Sequence, residues 1–193
     1  MNTKIPSQYS KIGQLVKKFL HTKLGARVGY FLNIKGFNRV GAVWTKAATG
    51  QMIDLGFAFN SRVDKGGDLI ASLITGAAQN SISSPLPPKY VALSTSTLSP
   101  AHTDTTLSGE TAVSGLARAL GTQGSYVTPT TLDGAASYTV TKTFTLTGSA
   151  TTVVSAALFD AASTGNMFVE ANLSSSAAMN TNDTLAITWT VNL

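Results

Sequence analysis

The chain has 193 residues, a formal net charge of +5, 43% hydrophobic residues and only 12% charged residues. The absence of cysteine excludes disulfides, cysteine-bound metals and thiol catalysis, and no apolar run reaches the roughly 18 residues that a membrane span requires. A surface this poor in charge is often buried against copies of itself or against a partner, although a solvated, threonine-rich β surface has the same composition.

Charge is divided unevenly along the chain. Residues 1–53 contain no acidic residue, whereas after Lys89 only Arg118 and Lys142 are basic, against six acidic residues. Such a division is typical of a protein that docks onto a large anionic assembly, and it is unusual for an enzyme. The basic side chains that we predict to contact a partner are Lys11, Lys17, Lys18, Lys23, Arg27, Lys35, Arg39 and Lys46.

The first 75 residues contain several predicted elements. Apolar residues at three- and four-residue steps predict a basic amphipathic helix that begins after Ser7 or Ser10 and ends at Gly25. Such a helix can lie on a membrane or on nucleic acid, but it can equally pack one face on its own domain. Two strands at 28–35 and 40–46 with a connector at 36–39 predict a hairpin. An apolar stretch at 53–59 and a short helix around 68–74 follow, with acidic residues near the helix start.

A Pro- and Ser-rich segment at 79–88 predicts a boundary between two units, residues 1–87 and 88–193. The second unit is predicted to consist of strands at 90–93, 138–146, 153–159, 167–173 and 185–193. Residues 161–166 and 174–183 are predicted connectors. The strands at 138–146 and 185–193 alternate, with an apolar face, interrupted by Lys142 in the first of them, opposite a face dominated by threonine. The predicted fold class is therefore mainly β: an antiparallel β-sandwich or jelly-roll-like C-terminal domain behind a basic α+β N-terminal segment.

No residue pattern predicts catalysis. His102 and Asp104 lie two positions apart, but no nucleophile elbow accompanies them, and a surface loop with an Asx-type turn explains the pair. Glu110 is expected to pair with Arg118 or to accept hydrogen bonds from backbone donors. Nucleotide-binding loops and metal-ligand clusters are absent from the sequence, so we predict no catalytic, cofactor or metal site. Aromatic residues among the basic ones permit single-strand binding, although core packing is the usual role of aromatics in strands.

Residues 88–118 read PKYVALSTSTLSPAHTDTTLSGETAVSGLAR. The order Tyr-hydrophobic-Ala-Leu, a small polar run, Pro, Thr-Asp-Thr, Leu, Glu and Arg resembles a block in small structural proteins of tailed bacteriophages. The resemblance extends over roughly residues 57–193, since residues 59–70, 157–169 and 182–189 also resemble parts of those proteins. The chain departs from them at Ser94, Thr95 and Ser96, where the usual members have Gly-Thr-Gly.

The resemblance implies a virion component without enzymatic activity, assembled in the host cytoplasm, of the head decoration, tail-fibre or minor tail type. We favour a capsid decoration or cement-type subunit that docks through its basic N-terminal part onto the major capsid protein. A low-charge, threonine-faced sandwich also suits packing in many copies as a homo-oligomer. The alternatives are a tail, neck, baseplate or fibre component and, third, a single-stranded nucleic-acid-binding module. No membrane partner is expected.

Overall fold

The computed structural model describes residues 37–75, 86–127 and 136–192. Within these ranges the elements, in chain order, are β1 (Phe37–Thr45), β2 (Met52–Ser61), α1 (Asp64–Thr75), β3 (Tyr90–Ser94), β4 (Ala119–Leu120), β5 (Thr122–Gln123), β6 (Ser137–Thr145), β7 (Thr151–Phe159), β8 (Met167–Met179) and β9 (Thr184–Asn192). The predicted short helix and the five predicted strands of the second unit are confirmed. The predicted first helix and the strand at 28–35 lie outside the described residues.

The strands form two antiparallel sheets. The larger sheet has the order β2-β1-β9-β6-β5, and the smaller one has the order β4-β3-β7-β8. Every described strand pair is antiparallel. The two sheets enclose a common apolar core, to which β1, β6 and β9 contribute from one side and β3, β7 and β8 from the other. The prediction of a mainly β, sandwich-like fold is confirmed.

The alternation in β6 and β9 places one side of the larger sheet in this core. Val140 on β6 pairs with Trp189 on β9, and both side chains are fully buried. Successive side chains of a strand point to opposite faces, so the residues between them face outward. Full burial of a large apolar side chain stabilises the fold by about 1.5–3 kcal/mol. The buried residues of β6 and β9 therefore determine which side of the larger sheet faces solvent.

The smaller sheet is covered on both faces along β3 and the part of β7 that pairs with it. Ala92 on β3 and Ala157 on β7 pair with each other and belong to a second apolar cluster, whereas their neighbours in each strand belong to the core between the sheets. Leu98 and Leu107, from the long connection after β3, complete that second cluster. The connection is held down by Asn172 of β8, whose Oδ1 accepts a 2.7 Å hydrogen bond from Leu98 N and whose Nδ2 donates one of 2.9 Å to Leu98 O.

Two strand limits differ from the prediction. The connector predicted at 36–39 is wrong where it is described, because β1 already begins at Phe37. Asn38, the second residue of β1, is fully buried, and its Oδ1 accepts a 3.1 Å hydrogen bond from Asn192 N. The connector predicted at 174–183 is also wrong in its first part, because β8 continues to Met179, with Ala177 and Met179 in the core.

The predicted N-terminal unit contributes directly to the sandwich. β1 lies between β2 and β9 in the larger sheet, and its residues 39–45 pair with residues 184–190 of β9. The position 87/88 therefore does not separate two sheets. It separates two segments of chain that build the larger sheet together.

Candidate assembly face

The outward side of the larger sheet carries a regular array of side chains. The strand registers place them in four rows that cross β2, β1, β9 and β6. The rows are Met52–Thr45–Thr184–Thr145, Asp54–Val43–Ala186–Thr143, Phe57–Gly41–Thr188–Thr141 and Phe59–Arg39–Thr190–Thr139. We call this surface the threonine face. Its threonines and small apolar residues are what the alternation of the sequence predicted for the outward side of β6 and β9.

The threonine face is almost without charge, because Arg39 and Asp54 are the two ionisable residues in its four rows. Arg39 lies flat against the sheet: its guanidinium carbon is 4.3 Å from the centre of the Phe57 ring, and its Nη2 donates a 3.3 Å hydrogen bond to Thr190 Oγ1. A guanidinium over an aromatic ring is attracted by the negative face of the ring. Asp54 is exposed, and its Oδ1 accepts a 2.8 Å hydrogen bond from Gly56 N.

A shift in the β1–β2 register places Phe57 on the threonine face. The register shifts between Gly41 and Val43, and Gly56 in the opposite strand has a φ of 73°, a backbone conformation that glycine adopts readily. The Phe57 ring then lies over Gly41, where a Cβ atom would come within 2.6 Å of the ring. Phe57 remains 51% exposed and Met52 is 71% exposed. The β2 side of the face is therefore apolar and accessible.

The β6 side of the face is polar. Thr143 and Thr145 are exposed, and the hydroxyls of Thr141 and Thr188 lie 3.3 Å apart, so that either can donate to the other. β-Branched residues suit this position because they pack side by side on a pleated surface. Each hydroxyl can donate one hydrogen bond and accept others, and the face can thus bind donors as well as acceptors.

The two sides of the sandwich are bridged to different extents. On one side, β2 and β8 lie side by side, and the gap is bridged by hydrogen bonds from Asn60 Nδ2 to Glu170 O and from Val63 N to Phe168 O, the latter 3.2 Å long. On the other side, β5 pairs with part of β6, and Thr147 N donates a 3.0 Å hydrogen bond to Ser114 O. Bridged or very short edges offer few free backbone groups to a strand of another chain.

The predicted partner-docking residues are only partly described. Lys11, Lys17, Lys18, Lys23, Arg27 and Lys35 lie outside the described residues. Arg39 lies in the last row of the threonine face. Lys46 follows β1 at its other end, with its Nζ 5.1 Å from the Trp44 ring centre. The structure therefore does not bring Arg39 and Lys46 together.

Arg118 and Glu110 form the predicted ion pair. Arg118 Nε donates to Glu110 Oε1 over 2.8 Å, and its Nη2 donates to Oε2 over 2.6 Å. The same guanidinium lies 3.5 Å from the Phe159 ring centre, and its Nη1 donates to the carbonyl oxygens of Ala161 and Thr164. Such a saturated, bidentate arrangement holds two connections against β7.

His102 and Asp104 each form a hydrogen bond with a different residue. His102 Nδ1 lies 2.7 Å from Asp64 Oδ2, whereas Asp104 accepts a 2.6 Å hydrogen bond from Ala101 N within its own turn. The sequence did not reveal that Asp104 also lies beside Glu170, a buried residue of β8. Burial, followed by the hydrogen bond to Asp104 and the charge of Asp104, raises the pKa of Glu170 to about 8.

Within residues 37–75, 86–127 and 136–192, no group of three or more His, Asp or Glu side chains is placed to hold a metal ion. No helix in the same ranges is both long and apolar enough to span a bilayer.

One protein family has a profile that matches the chain. It is described as "Podophage GP4 fiber I protein gp80", and the match covers residues 68–190. The matched segment runs from α1 into β9 and includes two of the four strands that bear the threonine face. No curated protein matches the chain.

Proposed function

We propose, from the premise that the chain belongs to the podophage GP4 fiber I protein gp80 family, that it is a tail-fibre subunit that joins other virion proteins through broad, weakly charged surface contacts. Membership of the family makes the chain a structural component of a tailed-phage virion, as predicted. The match does not confirm the favoured placement on the capsid, since its description names a fibre protein. It is consistent with the prediction that the chain is not an enzyme.

The observation that carries this function is the threonine face itself. The smaller sheet has an apolar cluster on each side, while the larger sheet turns exposed threonine, phenylalanine and methionine side chains outward. Arg118 binds within the fold, since its donors are taken up by Glu110 and two carbonyl groups. A subunit of an assembled fibre uses broad surfaces of this kind.

Attachment to the rest of the particle is the second part of the proposed function. The charge division of the sequence supports an attachment site in the basic N-terminal residues, with Lys11, Lys17, Lys18, Lys23, Arg27 and Lys35 facing an acidic surface of another virion protein. In a fibre this partner is a tail protein. On a shell it would be the major capsid protein, which is the alternative placement.

Labelling of purified particles tests the placement. Gold-conjugated antibodies against this chain are expected to label the tail of each particle, and the amount of chain per particle should be a small fraction of that of the major capsid protein. Labelling over the whole shell, at a copy number comparable to that of the major capsid protein, would contradict the fibre placement. Antibodies against the major capsid protein serve as the positional control.

A further inference from the structure

We infer that residues 99–107, which cross the outward side of the smaller sheet, form a pH-sensitive strap over the second apolar cluster. A proton held between the carboxyl groups of Asp104 and Glu170 keeps the strap on β8, and loss of that proton lets the strap lift while both sheets remain folded. Lifting of the strap is a property of the chain alone, so it is independent of the place of the chain on the virion.

Asparagine amide and serine hydroxyl groups anchor the chain on both sides of the strap. Before the strap, the side chain of Asn172 binds the N–H and the carbonyl group of Leu98 over 2.7 and 2.9 Å. After the strap, Ser94 Oγ donates a 2.6 Å hydrogen bond to Ser108 O. These groups keep one charge state between about pH 4 and about pH 9. A change of pH in this range therefore acts on the residues between the anchors.

Leu107 is the apolar residue by which the strap closes the cluster. It packs there with Ala92, Ala157 and Phe159, among others, and it is 5% exposed. The structure describes the whole strap, and Leu107 alone among its residues is buried. Segments with few buried apolar side chains open at a lower free energy than the rest of a fold. Polar contacts therefore have a large influence on whether the strap stays closed.

Polar contacts hold the middle of the strap at two places. At the start of α1, Asp64 N donates a 2.7 Å hydrogen bond to His102 O, and His102 Nδ1 lies 2.7 Å from Asp64 Oδ2. The two side chains are 40% and 60% exposed, and exposed pairs of this kind add little to stability. Asp104, in contrast, hydrogen bonds to Glu170, which is 2% exposed. A change of charge has its larger effect at this buried contact.

The contact between Asp104 and Glu170 requires a proton. A hydrogen bond between two carboxyl groups forms only when one of them is protonated, because an ionised carboxylate can only accept. Asp104 Oδ2 already accepts a 2.6 Å hydrogen bond from Ala101 N, which favours the ionised form of Asp104. Burial, followed by the interactions with Asp104, raises the pKa of Glu170 to about 8. The proton therefore belongs to Glu170.

The groups that β7 and β2 place next to Glu170 are uncharged. β7 places Ala157 opposite Glu170, and Asn60 Nδ2 of β2 donates a hydrogen bond to its backbone carbonyl. Arg62, the first residue after β2, exerts its charge on Tyr138, which belongs to the core between the sheets. Arg62 is thus directed to the core, whereas Glu170 faces the strap.

Charged groups of α1 and of the strap complete the surroundings of Glu170. Those of α1 are Asp64, Lys65 and Asp68, and those of the strap are His102 and Asp104. Within residues 37–75, 86–127 and 136–192, Asp104 is the group whose charge acts on the pKa of Glu170. Ionisation of Glu170 therefore places a second negative charge beside that of Asp104, and the two carboxylates repel each other.

The direction of the pH dependence follows from the number of bound protons. In the closed strap Glu170 has a pKa of about 8, whereas in the lifted strap its carboxyl group is in water, where the ordinary pKa is 4.5. The closed form therefore holds one proton more than the lifted form between these pH values. The equilibrium constant for lifting should rise about tenfold for each pH unit in this window and level off above it.

Hydrogen exchange of the purified full-length chain, followed by NMR for single residues, tests the inference. The Asp64 amide reports on the strap, because its acceptor is His102 O. Its protection factor, the intrinsic exchange rate at each pH divided by the observed rate, should fall about tenfold for each unit between about pH 5.5 and about pH 7.5. Low urea concentrations should leave this factor unchanged, since lifting exposes little surface, but should lower that of the Trp189 amide in the central strand β9.

Three variants assign the pH dependence to a group. Glu170→Gln should abolish it, because the amide group donates to Asp104 without a titrating proton. Asp104→Asn removes the like charge from the partly exposed side of the pair and should flatten it as well, so the test remains available if Glu170→Gln does not fold. His102→Gln is the matched control, because it changes the other side-chain contact of the strap and should keep the wild-type slope.

Each of four results would overturn the inference. The first is a protection factor of the Asp64 amide that stays constant across the pH window, and the second is a slope that survives Asp104→Asn and Glu170→Gln. The third is a slope that disappears in His102→Gln, which would assign the effect to the contact between His102 and Asp64. The fourth is an equal urea dependence of the Asp64 and Trp189 amides, which would mean that the strap leaves only when the sandwich unfolds.

Discussion

Asp183 accepts a 2.9 Å hydrogen bond from the indole nitrogen of Trp44, a residue 139 positions earlier in the chain. The same carboxylate, which is buried before β9, accepts hydrogen bonds of 2.7 Å from Ala47 N and 2.9 Å from Asn180 N. Asp183 thereby joins the turn after β1 to the turn before β9. It fixes the end of the larger sheet at which the first row of the threonine face lies.

Replacement of Asp183 is expected to destabilise the sandwich. In Asp183→Asn an amide group takes the place of one accepting oxygen, so at least one buried donor loses its partner, at a cost of about 2 kcal/mol. Urea unfolding at neutral pH measures the change. Asp54→Asn is the matched control, because Asp54 is exposed and its replacement should change stability by less than about 0.5 kcal/mol. Equal effects of the two substitutions would contradict the assigned role.

Acid should remove the contribution of Asp183 to the free energy of unfolding. Burial alone would raise its pKa, but the hydrogen bonds from Asn180, Ala47 and Trp44, together with the charge of Lys46, outweigh burial and hold the pKa below its ordinary value of 3.8. The stabilisation is therefore present above the pKa of the unfolded chain and is lost as the pH falls through the folded pKa. Wild-type stability should decline below about pH 4, and the decline should be shallower in Asp183→Asn. Thermal unfolding at several values between about pH 2.5 and about pH 5 measures both declines.

Glu170 is expected to produce a second pH dependence, in the opposite direction. Its folded pKa is about 8, against an ordinary value of 4.5. The folded chain therefore holds a proton that the unfolded chain has released between these pH values, and stability falls as the pH rises through that window. Glu170→Gln, which keeps the neutral shape, should flatten the dependence. Urea midpoints at several pH values in the window provide the test, and equal slopes for wild type and variant would show that Glu170 is not the group responsible.

Truncation before the last five residues is expected to unfold the sandwich. It removes Trp189 and Val191, both fully buried, from a strand that lies between β1 and β6. Loss of one large buried side chain alone costs about 3–5 kcal/mol, which is comparable to the whole stability of many domains. Circular dichroism and thermal unfolding of residues 1–188 measure the effect. Retention of the full unfolding temperature would contradict the central position of β9.

Basic residues of the first helix predicted from the sequence are expected to govern attachment. Replacing Lys11, Lys17, Lys18 and Lys23 with Gln should lower the amount of chain bound to particles, more strongly at low salt, because surface charges act over about 10 Å and are screened by ions. The ratio of this chain to the major capsid protein in purified particles measures attachment. Lys89→Gln with Lys142→Gln, which changes charges outside the first 53 residues, is the control and should leave the ratio unchanged.

Local patterns in the sequence were sufficient to predict most of the strands. In β6 and β9 the period of two is unbroken over several residues, because one side of each strand is buried and the other is not. The same alternation indicated the threonines of the candidate face. α1 was recognisable from its apolar spacing and from Asp64 in the first turn.

What the sequence could not indicate depends on distant residues. Asn38 and Arg39 have the composition of a turn, yet they lie in β1 because Asn192 and Thr190, at the far end of the chain, provide their partners. β4 and β5 have two residues each, too few for a period to appear. The proximity of Glu170 and Asp104 follows from the way the long connection lies on β8, which no local pattern encodes.

The position of β9 also determines when the sandwich can form. β9 follows both of its neighbours, β1 and β6, in the chain, and the contact between Arg39 and Thr190 spans 151 positions. During synthesis β1 must therefore wait, without its central partner, until β9 has left the ribosome. The pairing of β1 with β9 is therefore a late event in folding, and the outward side of the larger sheet is complete only once β9 has paired with both neighbours.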